Sequence, residues 1–321
     1  MINEIKKNVE NLPSNVDHWI IAYSGGVDSC VLADVLYKIK PDNIKLSILH
    51  VNHGLGQKDA VNWAQQAKET AQKMNANFLT TDFNMDETET GLEEKARDLR
   101  YDFISKNVSK NSVVFMGHHK NDQAETFLFR LFRGTGIKGL TAIPMIREIG
   151  EGILYRPMLT VSRNQIVEYA LANNIHWFED DTNIDTNFSR NFIRHNVIPL
   201  LSSRWPKIVE QISAMTKKAQ DSYDLSVEIA NEDFEKISIK YKEDYNGIDC
   251  EKLYSLSFLR QKNVITHVFE KILNVSQESK NFNNTLEVLL SKTKNYSKVR
   301  KIELKEWTIC NNGKYIWFVK K

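Results

Sequence analysis

Residues 24–29, SGGVDS, have the composition of an anion-binding loop. The segment lies between a short apolar run and a stretch with helical spacing, which predicts a strand–loop–helix junction. Glycine lets the backbone approach a ligand closely, and the N-terminus of the following helix presents free amide groups to an anion. The segment therefore predicts a phosphate site, and the lack of a Walker A motif argues against a P-loop kinase or GTPase. The residues expected to bind phosphate are Ser24, Gly25, Gly26, Val27, Asp28 and Ser29.

One residue of this loop, Asp28, is an acid where a phosphate is expected. A carboxylate repels phosphate unless a cation intervenes, so Asp28 implies a Mg²⁺ ion shared between its oxygens and those of the phosphate. The alternative is that Asp28 only caps the helix.

A second group of functional side chains lies in residues 117–126, GHHKNDQAET. Asp122 and Glu125 are three residues apart at a predicted helix start, so they share one face. The preceding strand candidate ends at Gly117, which points to the same end of the sheet as the loop. Alternatively, both acids only favour the helix N-terminus. His118 could bind a ligand or shuttle a proton, or be structural.

Two pairs of arginines supply fixed positive charge. Arg97 and Arg100 lie on a predicted helix, and the sequence does not decide which of them would contact a phosphate. Arg190 and Arg194, four residues apart, could bind phosphate or a flipped base. The competing interpretation of this second pair is a solvated helix surface.

The elements expected to position these groups alternate between strand and helix in the first half of the chain. Strands are predicted at 18–23, 44–51, 77–83 and 112–117, and helices at 31–39, 57–75, 91–107 and 122–133. This alternation predicts an α/β fold, a Rossmann-like parallel sheet with helices on both faces. Further along, Ser162 and Gln165 form a capping box for another helix.

The second half predicts a different organisation. A long amphipathic helix is expected at 206–236, followed beyond about 240 by short helices and then strands. We therefore predict three parts: a catalytic domain at 1–210, a helical linker at 211–240 and a small α+β domain at 241–321. Residues 291–321 combine many lysines and arginines with aromatic residues, a combination suited to RNA or, alternatively, to a solvated face over a β core.

Composition limits the class of protein. The chain has 321 residues, 41% of them hydrophobic and 26% charged, which predicts a folded protein with about two domains. It has no apolar run long enough for a membrane helix, and its first residues have no signal-peptide character. The three isolated cysteines argue against a disulfide scaffold or a zinc ribbon, so the reducing cytoplasm is the expected compartment.

Several segments resemble known families. The SGGVDS loop resembles that of the N-type ATP pyrophosphatases (PP-loop proteins with an adenine nucleotide alpha hydrolase-like fold), which cleave ATP between the α and β phosphates. Over roughly residues 18–201 the order of motifs is similar to that of the tRNA(Ile)-lysidine synthases. These motifs are HVNHGL at 50–55, EKARDLRY at 94–101, GHHKNDQAET at 117–126, RGTG at 133–136, RP at 156–157, Trp177 with Asp180 and Asn183, and residues 190–199 with Arg190, Arg194 and Pro199.

The resemblance implies an activity. Such enzymes use ATP to adenylate the C2 oxygen of the wobble cytidine in tRNA(Ile) with a CAU anticodon, releasing pyrophosphate. The ε-amine of L-lysine then displaces AMP and gives lysidine. By this resemblance the catalytic residues would be Asp28, His118, Asp122, Glu125 and Arg190.

The same resemblance implies binding roles. Residues 24–29 with Arg97 or Arg100 would bind ATP, and Asp28 would hold Mg²⁺. The lysine ammonium would be bound by Asp122 and Glu125, and tRNA by Arg190 and Arg194. The basic and aromatic C-terminal segment, with Lys298 and Arg300, would then position the body of the tRNA.

Two positions depart from the family pattern: Asn121, where an acid is usual, and Gly56, where arginine is frequent. Two other classes remain open. One is another PP-loop enzyme, a tRNA thiolase or an amidating synthetase, although the unpaired cysteines argue against sulfur transfer. The other is a non-catalytic nucleotide-binding module. The sequence leaves open whether the chain is a monomer or a homodimer.

Overall fold

A computed structural model of the protein describes residues 1–52, 60–83, 92–179, 189–241, 245–275, 282–290 and 299–321. The chain divides into two compact units. Unit 1 comprises residues 1–134 and 139–217, and unit 2 comprises residues 135–138 and 218–321. The division falls within one long helix at the segment predicted to be a linker, while the assignment of separate functions to 1–210, 211–240 and 241–321 stays a prediction.

Unit 1 alternates strands and helices along the chain. Its first elements are α1 (Ile2–Val9), β1 (His18–Ala22), α2 (Val27–Ile39), β2 (Lys45–Asn52), α3 (Ala60–Lys73), β3 (Asn77–Asp82), α4 (Leu92–Lys106) and β4 (Ser112–Phe115). They are followed by α5 (Lys120–Phe132), α6 (Ile137–Leu140, whose first two residues belong to unit 2), β5 (Ile146–Ile149), β6 (Gly152–Tyr155), α7 (Arg163–Ala172), α8 (Ser189–Phe192), a π-helical turn (Ile193–Val197) and α9 (Ile198–Arg204). Helix α10 (Ile208–Ile237) continues into unit 2.

A six-stranded sheet forms the centre of unit 1, in the order β3-β2-β1-β4-β6-β5. Strand β1 lies between β2 and β4, and Ile21 pairs in parallel register with Ile48 and Phe115. Alternate residues of β1 enter two different cores: Trp19 and Ile21 pack on one face of the sheet and Ile20 on the other. Both faces are therefore covered, which explains why the strands read as continuous apolar runs. The predicted α/β fold is confirmed.

The sheet differs from the prediction at one edge. Strand β5 pairs antiparallel with β6 in a tight hairpin that the sequence analysis did not identify. Its turn contains Gly150 at φ +55°, and each strand has only four residues. Segments this short show little hydrophobic periodicity, so the pattern gave no signal.

Unit 2 is built around a five-stranded antiparallel sheet with the order β7-β8-β11-β10-β9. Its elements are the second part of α10, β7 (Ser238–Tyr241), β8 (Tyr245–Asp249), α11 (Cys250–Ser255), α12 (Phe258–Lys271), α13 (Phe282–Leu290), β9 (Arg300–Glu303), β10 (Trp307–Asn311) and β11 (Tyr315–Lys320). Helices α12 and α13 pack with Ile309, Ile316 and Phe318 of the sheet in a single core. The smaller α+β part is thus present, but strands β7 and β8 precede its helices, where the sequence analysis expected helices first.

The other face of this sheet is aromatic. Trp317 pairs with Gly247 on the neighbouring strand, and the ring of Tyr241 stacks on Trp317 with ring centres 4.4 Å apart. Tyr315 completes the cluster at 5.6 Å from Tyr241. Within the described residues, no helix is both long and apolar enough to cross a membrane.

Candidate active site

The SGGVDS loop joins β1 to α2 and is closed around one hydroxyl group. The backbone N–H groups of Ser24 and Gly25 donate to Oγ of Ser29 at 3.1 and 3.2 Å, and that hydroxyl donates to the carbonyl of Gly26 at 3.0 Å. Gly25 adopts φ +90°, a conformation that side chains disfavour. Ser29 therefore holds the loop in shape, and glycine is required for its turn.

Helix α2 begins directly after the loop with Gly26 as its N-cap, which makes no side-chain cap. Asp28 lies in the first helical turn and does not serve as the cap. In the described part of the chain, no group accepts a hydrogen bond from the N–H of Val27 or Asp28, so these amides are available to an anion.

The carboxylate of Asp28 faces a buried histidine. Its Oδ1 lies 3.6 Å from Nε2 of His119, and both atoms are buried with no hydrogen-bond partner among the described groups. Oδ2 lies 3.8 Å from Nη1 of Arg163. A buried carboxylate oxygen without a partner is costly, and oxygen is the ligand that Mg²⁺ prefers. The residue type and its unpartnered oxygen therefore fit a magnesium ion, although the described residues contain no cluster of three metal-binding side chains.

His119 also starts helix α5. Its Nδ1 accepts from the N–H of Asp122 at 3.4 Å, while the Asp122 carboxylate accepts from the N–H of His119 at 2.8 Å. The histidine is only 1% exposed, and burial lowers its pKa, but the carboxylates of Asp122 and Asp28 outweigh burial and raise it. A single side chain thus connects the loop acid to the acids of α5.

The two acids of α5 share an arginine. Arg194 donates from Nε and Nη2 to the two oxygens of Glu125 at 2.8 and 2.9 Å, and from Nη2 to Asp122 at 3.2 Å. Burial raises the pKa of Glu125. Burial also opposes ionisation of Asp122, but the His119 side chain, the backbone N–H of His119 and the guanidinium of Arg194 lower its pKa overall. Two carboxylates and one guanidinium leave a net negative charge, which complements a second cation.

The remaining predicted residue beside these acids, His118, is in the neutral form. Its Nδ1 accepts a hydrogen bond from Nε of Arg156 at 3.2 Å. Burial lowers the pKa of His118 to about 3, and Arg156 and Arg100 lower it as well.

A cavity of about 330 Å³ opens at the carboxyl ends of β1, β2 and β4. Six of the predicted residues line it: Ser24, Asp28, Ser29, Arg100, His118 and Asp122. Of the two candidate arginines on α4, Arg100 lines the cavity and Arg97 does not, and both guanidinium groups lie over the ring of Tyr101.

Three other predicted residues are not among those that line this cavity. Arg194 joins Glu125 to Asp122, and Nη2 of Arg190 donates to the hydroxyl of Thr126 at 3.4 Å. Asn121, the first departure from the family pattern, accepts a hydrogen bond from the N–H of Arg163. Lys298, Gly56, Asp180 and Asn183 lie outside the described residues, while Arg300 is exposed on β9 in unit 2.

The sequence analysis assigned no role to several residues that line the cavity, among them Tyr23, Trp63 and His50, the first residue of the HVNHGL motif. His50 is buried at the end of β2, and its Nδ1 bonds the carbonyl of Tyr23 at 2.9 Å. The position of His50 at a strand end was the available signal.

Residues 176–178, which are distant in sequence, contact the SGGVDS loop and helix α3. Phe178 donates its N–H to the carbonyl of Gly25 at 3.0 Å, and its ring stacks on Trp63. Gln66 on α3 donates to the carbonyl of His176 at 2.9 Å. Residues of α3 and of the 176–178 segment therefore pack around the left-handed glycine, where a Cβ on Gly25 would meet all three side-chain neighbours.

Gly117 allows β4 to contact the start of α2, and we expect Gly117→Ala to weaken nucleotide binding. A Cβ there would lie 3.1 Å from both the carbonyl carbon and oxygen of Asp28 and 3.3 Å from the nitrogen of Ser29. Because these are backbone atoms, the helix start must shift, and we expect ATP affinity to fall about tenfold, or about 1.4 kcal/mol. Isothermal titration with ATP measures this.

Gly152→Ala is the matched control for that variant. Its Cβ would meet Ser112 and Val108 at the opposite end of the sheet. It should lower the melting temperature without changing ATP affinity. Equal losses of affinity in the two variants would contradict a local effect of Gly117.

A glycine loop, free amides at a helix N-terminus and an acid beside a cavity at the carboxyl ends of parallel strands define a nucleotide-binding α/β protein. The sequence matches the PP-loop domain over residues 1–201, and the chain therefore belongs to the PP-loop family.

Two curated relatives are similar to most of this chain. The chain is 35% identical to the tRNA(Ile)-lysidine synthase of Pseudomonas fluorescens over 260 residues, which are 79% of this chain and 58% of that protein. It is 34% identical to the tRNA(Ile)-lysidine synthase of Coxiella burnetii over 264 residues, 82% of this chain and 57% of that one. The chain thus spans less than two thirds of the length of these curated relatives.

A solved structure shares the fold. The U34-tRNA thiolase NcsA from Methanococcus maripaludis, determined with its 4Fe-4S cluster, superposes with a TM-score of 0.55 at 15% identity. The match covers 68% of this chain and 77% of the thiolase. At this identity the likeness concerns the fold alone.

Proposed function

We propose that this chain is a ligase that joins L-lysine to C2 of the wobble cytidine of tRNA(Ile) with a CAU anticodon. It would convert ATP to AMP and pyrophosphate and produce lysidine. The observation that carries the proposal is the pair of acids on α5 beside the nucleotide loop. Asp122 lines the same cavity as Asp28, and the Asp122–Glu125–Arg194 group has a net negative charge that suits an ammonium ion.

The first step is adenylation of the cytidine. The C2 oxygen attacks the α-phosphorus of ATP, and pyrophosphate leaves. The amides of Val27 and Asp28 and the guanidinium of Arg100 stabilise the negative charge on the phosphates. Asp28 would hold Mg²⁺, which when bound neutralises phosphate charge. His118 contributes a hydrogen bond rather than a proton transfer, because a pKa of about 3 makes it a weak base.

In the second step the ε-amine of lysine attacks C2 and AMP leaves. The amine must lose its proton first, because its ordinary pKa is about 10.4. Asp122 and Glu125 bind the ammonium through the oxygen lone pairs that Arg194 leaves available. Glu125 is the better proton acceptor of the two, since burial raises its pKa while that of Asp122 is lowered.

The tRNA would contact both units. In unit 1, Arg190 and Arg194 are the proposed contacts, although Arg194 is already bound to the acids. In unit 2 the exposed Arg300 is the proposed contact, together with Lys298. A tRNA substrate also favours the cytoplasm as the compartment.

The proposal is tested by transfer of labelled lysine to tRNA(Ile) bearing a CAU anticodon, with ATP and Mg²⁺ present. A transcript with uridine at the wobble position is the control. We expect incorporation into the cytidine form only. ATP cleavage that depends on another tRNA, without lysine transfer, would move the function to a different PP-loop enzyme such as a thiolase or an amidating synthetase.

Sulfur transfer is the less favoured candidate because of the state of Cys30. Its thiol lies at the loop, 3.3 Å from the carbonyl of Gly25, and burial raises its pKa to about 11. A thiol with such a pKa is a poor nucleophile.

For unit 2, we expect Arg300→Gln to weaken tRNA binding modestly and to reduce its salt dependence. Loss of one phosphate contact lowers the slope of log affinity against log salt by about 1. Filter binding at several salt concentrations measures this. Lys252→Gln, an exposed residue on α11, removes the same charge and should leave the slope unchanged. Identical slopes for both variants and the unaltered protein would exclude Arg300 from the RNA interface.

A further inference from the structure

Arg156, which follows β6, is a buried cation with an unusual set of partners. It is 2% exposed. Its Nε donates to Nδ1 of His118 at 3.2 Å, Nη1 to the carbonyl of Pro144 at 2.7 Å, and Nη2 to the hydroxyl of Tyr101 at 3.2 Å. All three acceptors are neutral, and within the described residues no carboxylate forms an ion pair with it. Burying a charge without a counter-ion is costly, so a role beyond packing is expected.

The hydrogen bond from Arg156 determines which ring nitrogen of His118 carries a proton. A guanidinium can only donate hydrogen bonds, so Nδ1 of His118 must be unprotonated in order to accept one. A neutral imidazole then carries its proton on Nε2. The ring lines the cavity, and no described group bonds Nε2. The free N–H is therefore the one available to a ligand in the cavity.

We propose that Arg156 is a positioning residue that holds His118 as a neutral, Nε2-protonated hydrogen-bond donor to an oxygen of the bound nucleotide. The nucleotide part of this inference rests on the proposed function. The arrangement makes His118 a fixed donor and prevents it from acting as a proton shuttle, one of the roles that the sequence left open.

The charged groups around His118 also favour the neutral form of its imidazole. Arg156, Arg100 and Arg97 face it from two elements and oppose an imidazolium, while Asp122 on α5 favours one. Burial acts in the same direction as the arginines and is the largest effect.

Tyr101 keeps the guanidinium in place from the other side. Its hydroxyl accepts from Arg156 and lies 3.8 Å from the sulfur of Met116, while the guanidinium of Arg147 lies over its ring at 4.3 Å. Arg147 is exposed and carries the same charge near the same ring, but it does not contact His118. A substitution of Arg147 therefore separates the effect of a nearby positive charge on His118 from the effect of the hydrogen bond that Arg156 donates.

The experiment is ¹⁵N NMR of the full chain labelled at histidine, in which the two ring nitrogens report the tautomer directly. The His118 signals are assigned by their loss in His118→Gln. We expect the Nε2–H tautomer in the unaltered protein, unchanged between about pH 5 and 8. Arg156→Lys should mix the tautomers or make His118 titrate, whereas Arg147→Gln should not. An Nδ1–H tautomer, or titration near the ordinary pKa in the unaltered protein, would overturn the proposal.

Should Arg156→Lys fail to fold, Tyr101→Phe provides a second measurement, because it removes one hydrogen bond that anchors Arg156. We expect the freed guanidinium to broaden the ring-nitrogen signals of His118, and signals as sharp as those of the unaltered protein would count against the proposal.

Kinetics supply the functional measurement. Arg156→Lys should lower kcat for pyrophosphate release about 10- to 100-fold, and His118→Gln, which keeps an N–H donor, should be less impaired than His118→Ala. Equal losses in the two His118 variants would contradict a donor role. Absence of lysine transfer by the unaltered protein, with the tautomer as expected, would refute the proposed function and leave the positioning role of Arg156 standing.

Discussion

Asp28→Asn should reduce ATP-dependent pyrophosphate release at least about 10³-fold, a loss of about 4 kcal/mol in transition-state stabilisation. The substitution keeps the size of the side chain but removes the charge that a shared magnesium ion requires. It also replaces one of the two carboxylate oxygens, of which Oδ1 lies 3.6 Å from Nε2 of His119 without a hydrogen-bond partner among the described groups, by an amide nitrogen that cannot bind a cation. Pyrophosphate release from ATP in the presence of tRNA is the measurement, and tRNA affinity should stay near that of the unaltered protein.

Asp34→Asn provides the control for this prediction. Asp34 lies on the same helix, but it pairs with Lys38 and accepts from the hydroxyl of Tyr169 away from the cavity. It should cost some stability and leave pyrophosphate release unchanged. Normal turnover in Asp28→Asn would show that the carboxylate is not part of the nucleotide site.

Arg194→Met should destabilise the protein by about 3 kcal/mol. The change leaves two carboxylates beside each other, and Glu125 is only 4% exposed. Removing one partner of a buried ion pair costs more than the pair itself contributes, because the remaining charge stays desolvated. Denaturant unfolding measures the loss. In the double variant Arg194→Met/Glu125→Met, the loss should be smaller than the sum of the two single losses.

The loss in Arg194→Met should also depend on pH. Burial raises the pKa of folded Glu125, so protonation favours the folded state, and this contribution is lost as pH rises through the folded pKa. Without Arg194 the pKa of Glu125 rises further. The stability difference between the two proteins should therefore be largest near neutral pH and narrow on acidification toward the ordinary glutamate range. A difference that is constant across this range would show that Glu125 does not carry the effect.

Local signals in the sequence predicted much of the fold. Strands β1, β2 and β4 were identified because each has buried residues on both faces. The Ser162–Gln165 capping box begins α7 as expected. Helix α5 starts at Lys120, two residues earlier than predicted, because His119 serves as its N-cap. Histidine is not a usual capping residue, so its role could not be recognised from the pattern.

The hydrogen-bond partners of the site residues were harder to predict from the sequence than the positions of the residues themselves. Asp28, His118 and Asp122 could be placed at one end of the sheet because each follows a strand. Their partners could not, since Arg156 and Arg194 reach them from 38 and 72 residues away. Residue spacing carries information within one helix or strand and none about which distant side chain fills a buried position. The roles assigned to individual site residues stay predictions.

The contact between Phe178 and Gly25 has a consequence for synthesis of the protein. The carbonyl that ends the glycine turn is bound by an amide 153 residues later in the chain. A polypeptide emerging from the ribosome therefore completes its first strands, and even the SGGVDS segment itself, long before the turn acquires its last partner. In nascent chains that end before Phe178, the carbonyl of Gly25 lacks this hydrogen bond. The complete conformation of the loop is therefore expected only after Phe178 has been synthesised.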